Sequence, residues 1–327
     1  MMTPPTRPRT VLQRLGVSRD QLSMATIAGL APVLALILLM IVGAIVAPSF
    51  LSAGNIRSLL LSSAILMIFA IGQTFVISTA GIDLSVAAIA QLSGVALGLV
   101  VAAGSSPELG ILVALAVGTA AGALNGFLIS RLKISDFIVT LGTFSAFSGL
   151  TLLLSDARPQ IVNSPTLLAI STGGIGPMSY LLLIALVVAA VGYLLIFHTR
   201  FGTHVLAVGG NRKAADAMGL SFGNVKVGVY AISGLLAAIA GILLVARLGA
   251  AEPTAGSAYQ LTSIAAAVLG GVSLFGGKRS IVGPLIGAVV LTGVVNLLTI
   301  AGVPVYYQPI AVGAVVVLAA YLRRYER

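Results

Sequence analysis

The sequence predicts an all-α integral membrane protein with about ten transmembrane helices. Of its 327 residues, 58% are hydrophobic and only 8% are charged, and the mean hydropathy is +1.13. A soluble domain with so few charged residues would lack a polar surface, which excludes that class. The apolar segments run for about 20 residues without polar alternation, which favours membrane helices over a β-barrel.

Segments long enough to cross the hydrocarbon core give the predicted helices in order. They lie at 25–47, 57–78, 84–104, 109–130, 136–154, 179–197, 226–247, 259–274, 281–301 and 307–322. Residues 1–24 are too polar to insert, and we predict that they form a cytoplasmic N-terminal tail. The first apolar segment is longer than the core of a signal peptide, so we treat it as a retained helix. Residues 323–327 are predicted to be a cytoplasmic C-terminal tail.

The basic residues predict that both termini are cytoplasmic. With that orientation, only three of the 18 Lys and Arg residues, Arg57, Arg158 and Arg247, fall on the outer side. Such an excess of inner positive charge sets the orientation of membrane proteins. It also explains the net charge of +10 without a nucleic-acid partner. The chain has no Cys, so disulfides and thiolate metal sites are excluded.

The longest polar and basic interruption between apolar segments covers residues 198–226. Residues 209–211 predict a turn and a helix start, residues 212–218 are mostly good helix formers, and Gly219 suits a C-terminal cap. We therefore predict a cytoplasmic loop that holds a short surface helix between two membrane helices. A membrane bundle that is moved by a cytoplasmic partner needs such an element. On the other side, residues 155–178 are predicted to be an outer loop.

Residues 79–85 interrupt the second and third apolar segments with little polar padding. Gly81 predicts a turn, and Asp83 is placed to cap the helix that follows. One interpretation is a structural cap at the membrane surface. The other is a break inside the membrane, with Asp83 or Ser85 beside a solute route. An ionisable group at membrane depth is costly, so it is a functional candidate.

Lone polar residues within the apolar segments are further candidates for that route. They are Gln73, Thr74 and Gln91 near the interruption, and Asn125 and Asn296 on later helices. The alternative is that each one hydrogen-bonds a neighbouring helix and binds nothing.

Two other patterns are given structural roles. Ser135 and Asp136 predict a helix start with a capping residue, and no chemistry is assigned to them. Tyr180, Tyr193 and Tyr230 lie near the ends of predicted membrane helices, where tyrosines anchor a helix at the interface.

The two halves of the chain share a short internal repeat. Residues 79–81 recur as 254–256, and the following matches have the same spacing: Leu84, Leu92, Gly94 and Val95 with Leu261, Leu269, Gly271 and Val272. Five segments in each half would place the two copies in opposite orientations, as in inverted-repeat transporters. Chance matching between Gly- and Ala-rich helices is the alternative.

The sequence lacks the motifs of an enzyme. It has no paired carboxylates, no His-Glu-x-x-His and no Walker A loop. If ATP energises this protein, a separate subunit must hydrolyse it, and no metal or cofactor is expected on this chain. An ion-coupled carrier usually has carboxylates in its membrane helices, and here only Asp83 is placed for that role.

Several separated motifs resemble the membrane permease subunits of bacterial ATP-binding-cassette (ABC) importers for ribose and other simple sugars. The motifs lie at residues 48–50, 55–56, 81–86, 137–143, 209–219, 253–256, 269–271 and 273–277. The resemblance covers nearly the whole chain, from about residue 40 to residue 322. Ala87 departs from it, because the family usually has Gly there, and this change would affect local packing.

The resemblance implies a monosaccharide importer in the bacterial inner membrane, for a ribose-like pentose or a related sugar. Residues 25–322 would form one transmembrane permease domain with a coupling loop at 198–226. The coupling helix that docks on an ATPase would involve Gly209, Gly210, Asn211, Arg212, Lys213, Ala214, Ala215 and Gly219. ATP and magnesium would be bound by the ATPase subunits.

The implied partners are a second permease chain, identical or different, two cytoplasmic ATPase subunits and an extracytoplasmic sugar-binding protein. Two rival functions stay open. One is an ABC permease for nucleosides, branched-chain amino acids or other small polar solutes. The other is an ion-coupled secondary carrier that works without an ATPase.

Overall fold

The computed structural model describes residues 19–322, with side chains for residues 30–317, and this range is predominantly helical. The first half contains α1 (Arg19–Val46), α2 (Ala53–Ser78), α3 (Val86–Ala102), α4 (Pro107–Arg131) and α5 (Asp136–Ser155). The second half contains α6 (Pro165–Thr172), α7 (Tyr180–His198), α8 (Arg200–Gly210), α9 (Arg212–Ala217), α10 (Phe222–Leu248), α11 (Tyr259–Leu269), α12 (Val282–Ile300) and α13 (Gln308–Leu322). Short 3-10 helices lie at Pro48–Leu51 and Val305–Tyr307.

Each predicted apolar segment corresponds to a helix, with shifted boundaries. α1 already includes residues 19–24, α2 begins at Ala53, and α11 already ends at Leu269. Among the described residues, six helices are long and apolar enough to cross a membrane: α2, α4, α5, α7, α10 and α12. The segments Leu30–Val46, Val86–Ala102, Tyr259–Leu269 and Val305–Val317 are shorter apolar helices. Of the predicted tails, residues 1–18 and 323–327 lie outside the described residues.

Many of these helices have a serine as their N-cap residue. The hydroxyl of each of these serines accepts a hydrogen bond from the backbone N–H three residues later. They are Ser52, Ser106, Ser135, Ser164, Ser179 and Ser221. The capping role predicted for Ser135 is confirmed.

The core of the molecule lies along α2 and α10. In the most apolar 18-residue stretch of each helix, 83% of the residues are buried in α2 and 78% in α10, against 17% in α5. α10 packs against α2, α3 and α4, while α2 also contacts α7, α11 and α12. Where α4 crosses α10, a Cβ on Gly122 would lie 2.9 Å from the Cα of Gly234. Small residues therefore allow the close helix contact that membrane bundles use.

The two central helices run antiparallel and are each followed by an irregular segment. We call residues 79–85, between α2 and α3, the first break, and residues 249–258, between α10 and α11, the second break. In the first half of α10, the Tyr230 hydroxyl contacts the carbonyl of Ile82 in the first break. Near the end of α10, Arg247 contacts Ser62, in the first half of α2, at 3.2 Å. The two breaks therefore lie at opposite ends of the bundle.

The predicted outer loop at residues 155–178 contains short elements of its own. Besides α6, it holds β1 (Gln160–Ile161), β2 (Gly174–Ile175) and β3 (Met178–Ser179). β1 pairs antiparallel with β4 (Ala250–Ala251), and β2 pairs antiparallel with β3. Because β4 belongs to the second break, this loop lies at that end of the molecule.

The prediction for residues 198–226 was right about the short helix and wrong about the rest of the loop. The predicted helix is α9, with the Asn211 side chain as N-cap and Gly219 in a left-handed conformation, φ 77°. Residues 209–210 do not form a turn, because they complete the additional helix α8. Lys226 is not a loop residue either, since it lies in α10 and is 2% exposed.

Candidate functional site

The first break is an irregular segment that is buried except at exposed Ala80 and half-buried Ile82. Its left-handed residue is Ala80, with φ 55°, and not Gly81 as the sequence suggested. Gly81 is needed for space, because a Cβ there would lie 2.8 Å from Lys226 Nζ and 3.1 Å from the Tyr230 hydroxyl. Asp83 and Ser85 are both 0% exposed. The break therefore runs through the protein interior, where every polar group needs a partner.

The Asp83 carboxylate organises the polar contacts of the break. Its Oδ1 accepts hydrogen bonds from the backbone N–H and the hydroxyl of Ser85, at 2.9 and 2.6 Å. Its Oδ2 accepts from the hydroxyl of Ser233 in α10, at 2.8 Å. Asp83 is not the N-cap of α3, because Ser85 holds that position. The carboxylate instead ties the break to a different helix.

Two side-chain amides complete this cluster from neighbouring helices. Gln73 Nε2 donates to the carbonyl of Asp83 at 2.7 Å, and Asn125 Nδ2 donates to the hydroxyl of Ser85 at 2.8 Å. The oxygens of both amides are buried and have no hydrogen-bond partner among the described residues. Buried polar atoms of this kind are usually satisfied by a bound molecule such as water. The structure thus brings together four predicted route residues: Gln73, Asp83, Ser85 and Asn125.

A second polar cluster holds the other side of the break. Lys226 Nζ forms an ion pair with Asp136 Oδ2. The Tyr230 hydroxyl lies 3.0 Å from the same carboxylate oxygen and 3.0 Å from the carbonyl oxygen of Ile82, so the two acceptors share its single proton. The Thr140 hydroxyl approaches that carbonyl at 3.3 Å. Residues from α5 and α10 therefore meet at one peptide group of the break.

The other predicted route residues lie apart from this cluster. Thr74 is buried, and its hydroxyl donates to the carbonyl of Ala70 in its own helix at 2.8 Å. Asn296 exchanges hydrogen bonds of 2.9 and 3.0 Å with Asn55, between α12 and α2. That pair has the interhelical role that the sequence left as the alternative for Asn296.

Gln91 lies beside the second break. Its Nε2 donates to the hydroxyl of Ser257 at 2.9 Å. It lines an open cleft between α3, α10 and the second break, with Gly94, Gly241 and Glu252 among the other lining residues. The cavity volume of the cleft is about 10 Å³. That is room for about one water molecule, so the cleft is too small for a sugar in this conformation.

The predicted coupling residues lie at the end of the molecule that contains the first break. Arg212, Lys213, Ala214 and Gly219 are exposed, while Ala215 is buried. Arg212 pairs with Asp216 at 3.8 Å on the surface, a contact that adds little stability. The two glycines that precede these residues differ in exposure. Gly209 is buried against the carbonyl of Ser78, and Gly210 is exposed.

Sequence reasoning missed Asp136, Lys226, Tyr230 and Ser233 as members of the site. Tyr230 was interpreted as an interface anchor, but it is fully buried. A signal was present, because Lys226 and Tyr230 lie four residues apart and so share one face of a helix. A lysine at the edge of an apolar segment, one turn from a tyrosine, favours a buried partner over a solvated loop.

Comparison with known proteins places this fold in a family. Residues 55–320 match the family described as the permease component of branched-chain amino acid transport systems. The chain belongs to this permease family. No solved structure matches the chain.

Individual relatives are similar over nearly the whole chain. The ribose import permease protein of Bacillus subtilis is 42% identical over 301 residues, covering 90% of this chain and 92% of that protein. The D-allose transport system permease protein of Escherichia coli is 35% identical over 289 residues, covering 88% and 89%. The L-arabinose ABC transporter permease protein of Azospirillum brasilense is 35% identical over 280 residues, covering 86% and 83%.

Proposed function

We propose that this chain is the transmembrane permease subunit of an ABC importer that brings a monosaccharide into a bacterial cell across the inner membrane. The observation that carries the proposal is the similarity, over about nine tenths of both chains, to permeases named for ribose and allose. A further relative named for L-arabinose is described as an ABC transporter permease. A ribose-like pentose or a related sugar is the expected substrate.

The proposed topology has ten membrane segments with both termini in the cytoplasm. The arrangement of the central helices supports an inverted repeat of five and five. α2 and α10 run antiparallel, and each is followed by a break and a shorter apolar helix, α3 or α11. α4 packs on α10 as α12 packs on α2. Transporters built from inverted repeats place such interrupted helices beside the substrate route.

The proposed solute route runs between the two breaks. Gln91, Ser257 and Glu252 offer hydrogen-bonding groups at the second break, and the cluster around Asp83 offers buried ones at the first. Sugar hydroxyls both donate and accept, so amides and hydroxyls suit them. The cleft at the second break is too small for a sugar in this conformation, so a sugar can pass only after a conformational change. This supports a cycle in which the route opens to one side of the membrane at a time. Asp83, Ser85, Gln73 and Asn125 are the route residues that this proposal favours.

The proposed energy source is ATP hydrolysis on separate subunits. The exposed helix α9, with Arg212 and Lys213, would dock on a cytoplasmic ATPase, and a second permease chain would complete the pore. The sugar would arrive on an extracytoplasmic binding protein, and ATP and magnesium would be held by the ATPases. Under this proposal the chain is not an enzyme itself.

The family description supports a second candidate, a permease for branched-chain amino acids. Proteoliposomes test both, with the chain, its ATPase subunits and its binding protein present. Sugar uptake that requires internal ATP supports the proposal, whereas ATP-dependent leucine uptake favours the second candidate. Uptake by the chain alone would instead identify a secondary carrier.

A paired charge reversal tests the docking helix in the same assay. Arg212→Glu with Lys213→Glu should lower ATP-driven uptake while membrane insertion stays normal. Unchanged uptake in this variant would remove α9 from the coupling role.

A further inference from the structure

We propose that Asp136, Lys226 and Tyr230 form a clamp that grips the first break and transmits the movement of α9 to it. The proposal rests on the proposed function, since it concerns how ATP hydrolysis on a partner reaches the solute route. The three residues are positioning residues. They act on the route through the backbone of Gly81 and Ile82, without contact with the solute.

The clamp holds the backbone of the break at one point. The Tyr230 hydroxyl lies within hydrogen-bonding distance of the carbonyl oxygen of Ile82, at 3.0 Å, and shares its proton between this oxygen and the Asp136 carboxylate. A Cβ on Gly81 would lie within 3.1 Å of both Lys226 Nζ and the Tyr230 hydroxyl, so the clamp side chains pack directly on the backbone. With this little free space, a displacement of the start of α10 must displace residues 81–82.

The ion pair makes the clamp rigid. The side chains of Lys226 and Asp136 are 3% and 20% exposed. Removing one partner of a buried ion pair leaves an uncompensated charge, so the two residues stay together. Because Asp136 begins α5 and Lys226 lies one turn into α10, the pair fixes the ends of two helices against the break.

A short path connects the clamp to α9. The guanidinium of Arg212, at the start of α9, lies 3.7 Å from the centroid of the Phe222 ring. Lys226 Nζ lies 5.7 Å from the same ring. Only residues 218–221 separate α9 from α10. A partner that pulls on α9 therefore acts on Phe222 and Lys226 through direct contacts.

The same moving segment also contacts the last residue of α2, directly before the break. Gly209, in the last turn of α8, packs against the carbonyl of Ser78, the last residue of α2. The segment α8–α10 thus contacts residue 78 through Gly209 and residues 81–82 through the clamp. The Ser233 hydroxyl of α10 adds a third contact, to the Asp83 carboxylate at 2.8 Å. Together these contacts would let the segment move the break as a unit, and the clamp is the one that holds the backbone of residues 81–82.

Isosteric substitutions test this mechanism. Asp136→Asn removes one charge of the ion pair, and Tyr230→Phe removes only a hydroxyl. If one of the two variants is unstable, the other still tests the clamp. The matched controls are Asp156→Asn, an exposed acid at the other end of α5, and Tyr193→Phe, an exposed tyrosine on α7. The assay is sugar uptake per ATP hydrolysed by the complete importer in proteoliposomes.

We expect uptake per ATP to fall by at least about fivefold in both clamp variants, the lower end of coupling between sites. ATP hydrolysis and the two controls should stay near wild type. An unchanged ratio would overturn the clamp, and so would an equal fall of uptake and hydrolysis, since the clamp would then serve assembly only. A wild-type complex without ATP-dependent uptake would instead overturn the proposed function, and the coupling role with it.

Discussion

The backbone N–H of Gly277 donates a hydrogen bond of 3.0 Å to the carbonyl oxygen of Ser78. This carbonyl belongs to the last residue of α2, where helix carbonyls lack a partner within the helix. The Ser78 hydroxyl donates to the carbonyl of Lys278 at 3.0 Å, so the contact has two hydrogen bonds. Gly209 packs on the same Ser78 carbonyl. The end of α2 is therefore held between α8 and the segment before α12.

This crowded contact predicts different effects for two adjacent glycines. Gly209→Ala places a methyl group against the Ser78 carbonyl, and we expect it to cost about 1–3 kcal/mol of stability as an overpacked site. Gly210→Ala is the control, since the nearest atom to its Cβ is 3.9 Å away. Thermal unfolding of the purified chain in detergent measures both. Equal unfolding temperatures for the two variants would show that Gly209 packs less tightly on Ser78 than in this structure.

The buried cluster predicts that Asp83 tolerates one substitution and not another. Asp83→Asn keeps an acceptor for Ser85, and the Ser233 hydroxyl can turn to accept from the new amide. Asp83→Ala leaves the donors of Ser85 and Ser233 buried without an acceptor, at about 1–3 kcal/mol for each one. Unfolding in denaturant measures the difference. If Ala is as stable as Asn, the carboxylate does not hold the break.

Uptake assays on the same two variants address the role of Asp83 in transport. Asn at normal expression with normal uptake supports a structural role in the break. A large loss of uptake by a stable Asn variant supports direct contact with the solute route, because the variant keeps the size of the side chain and its contacts with Ser85 and Ser233.

The pair of Asn55 and Asn296 predicts a stabilising contact without a role in selectivity. Each amide donates to the other across α2 and α12. A double-mutant cycle with Ala at both positions should give a coupling free energy of about 0.6 kcal/mol, as for other hydrogen bonds between membrane helices. Competition between sugars for uptake should be unchanged in the single variants. A changed preference would return Asn296 to the solute route.

Hydropathy and capping signals predicted much of the fold because they are local. The ten apolar segments each correspond to a helix. The Asn211 side chain caps the start of α9, and Gly219 takes the left-handed backbone conformation after its end. α8 was missed because Gly202, Gly209 and Gly210 lower its helix propensity. Its stability comes from tertiary packing, with Val205 and Val208 buried against the core.

The site was harder to predict because its contacts join distant parts of the chain. Asp83 depends on Ser233, and Lys226 depends on Asp136. A lysine without a visible partner is expected in solvent, so Lys226 was assigned to the polar loop. The sequence correctly indicated that Gly81 matters, but the reason was wrong. Gly81 leaves room for the clamp side chains and does not adopt a left-handed turn.

The central claim is that α9 lies on the cytoplasmic face, where an ATPase moves it. Because the chain has no Cys, Lys213→Cys in exposed α9 provides a single labelling site for a membrane-impermeant maleimide. The account predicts labelling in inside-out vesicles but not in right-side-out vesicles, and protection of the thiol when the ATPase subunits are bound. Labelling from the outer side, or equal labelling with and without bound ATPase, would contradict it.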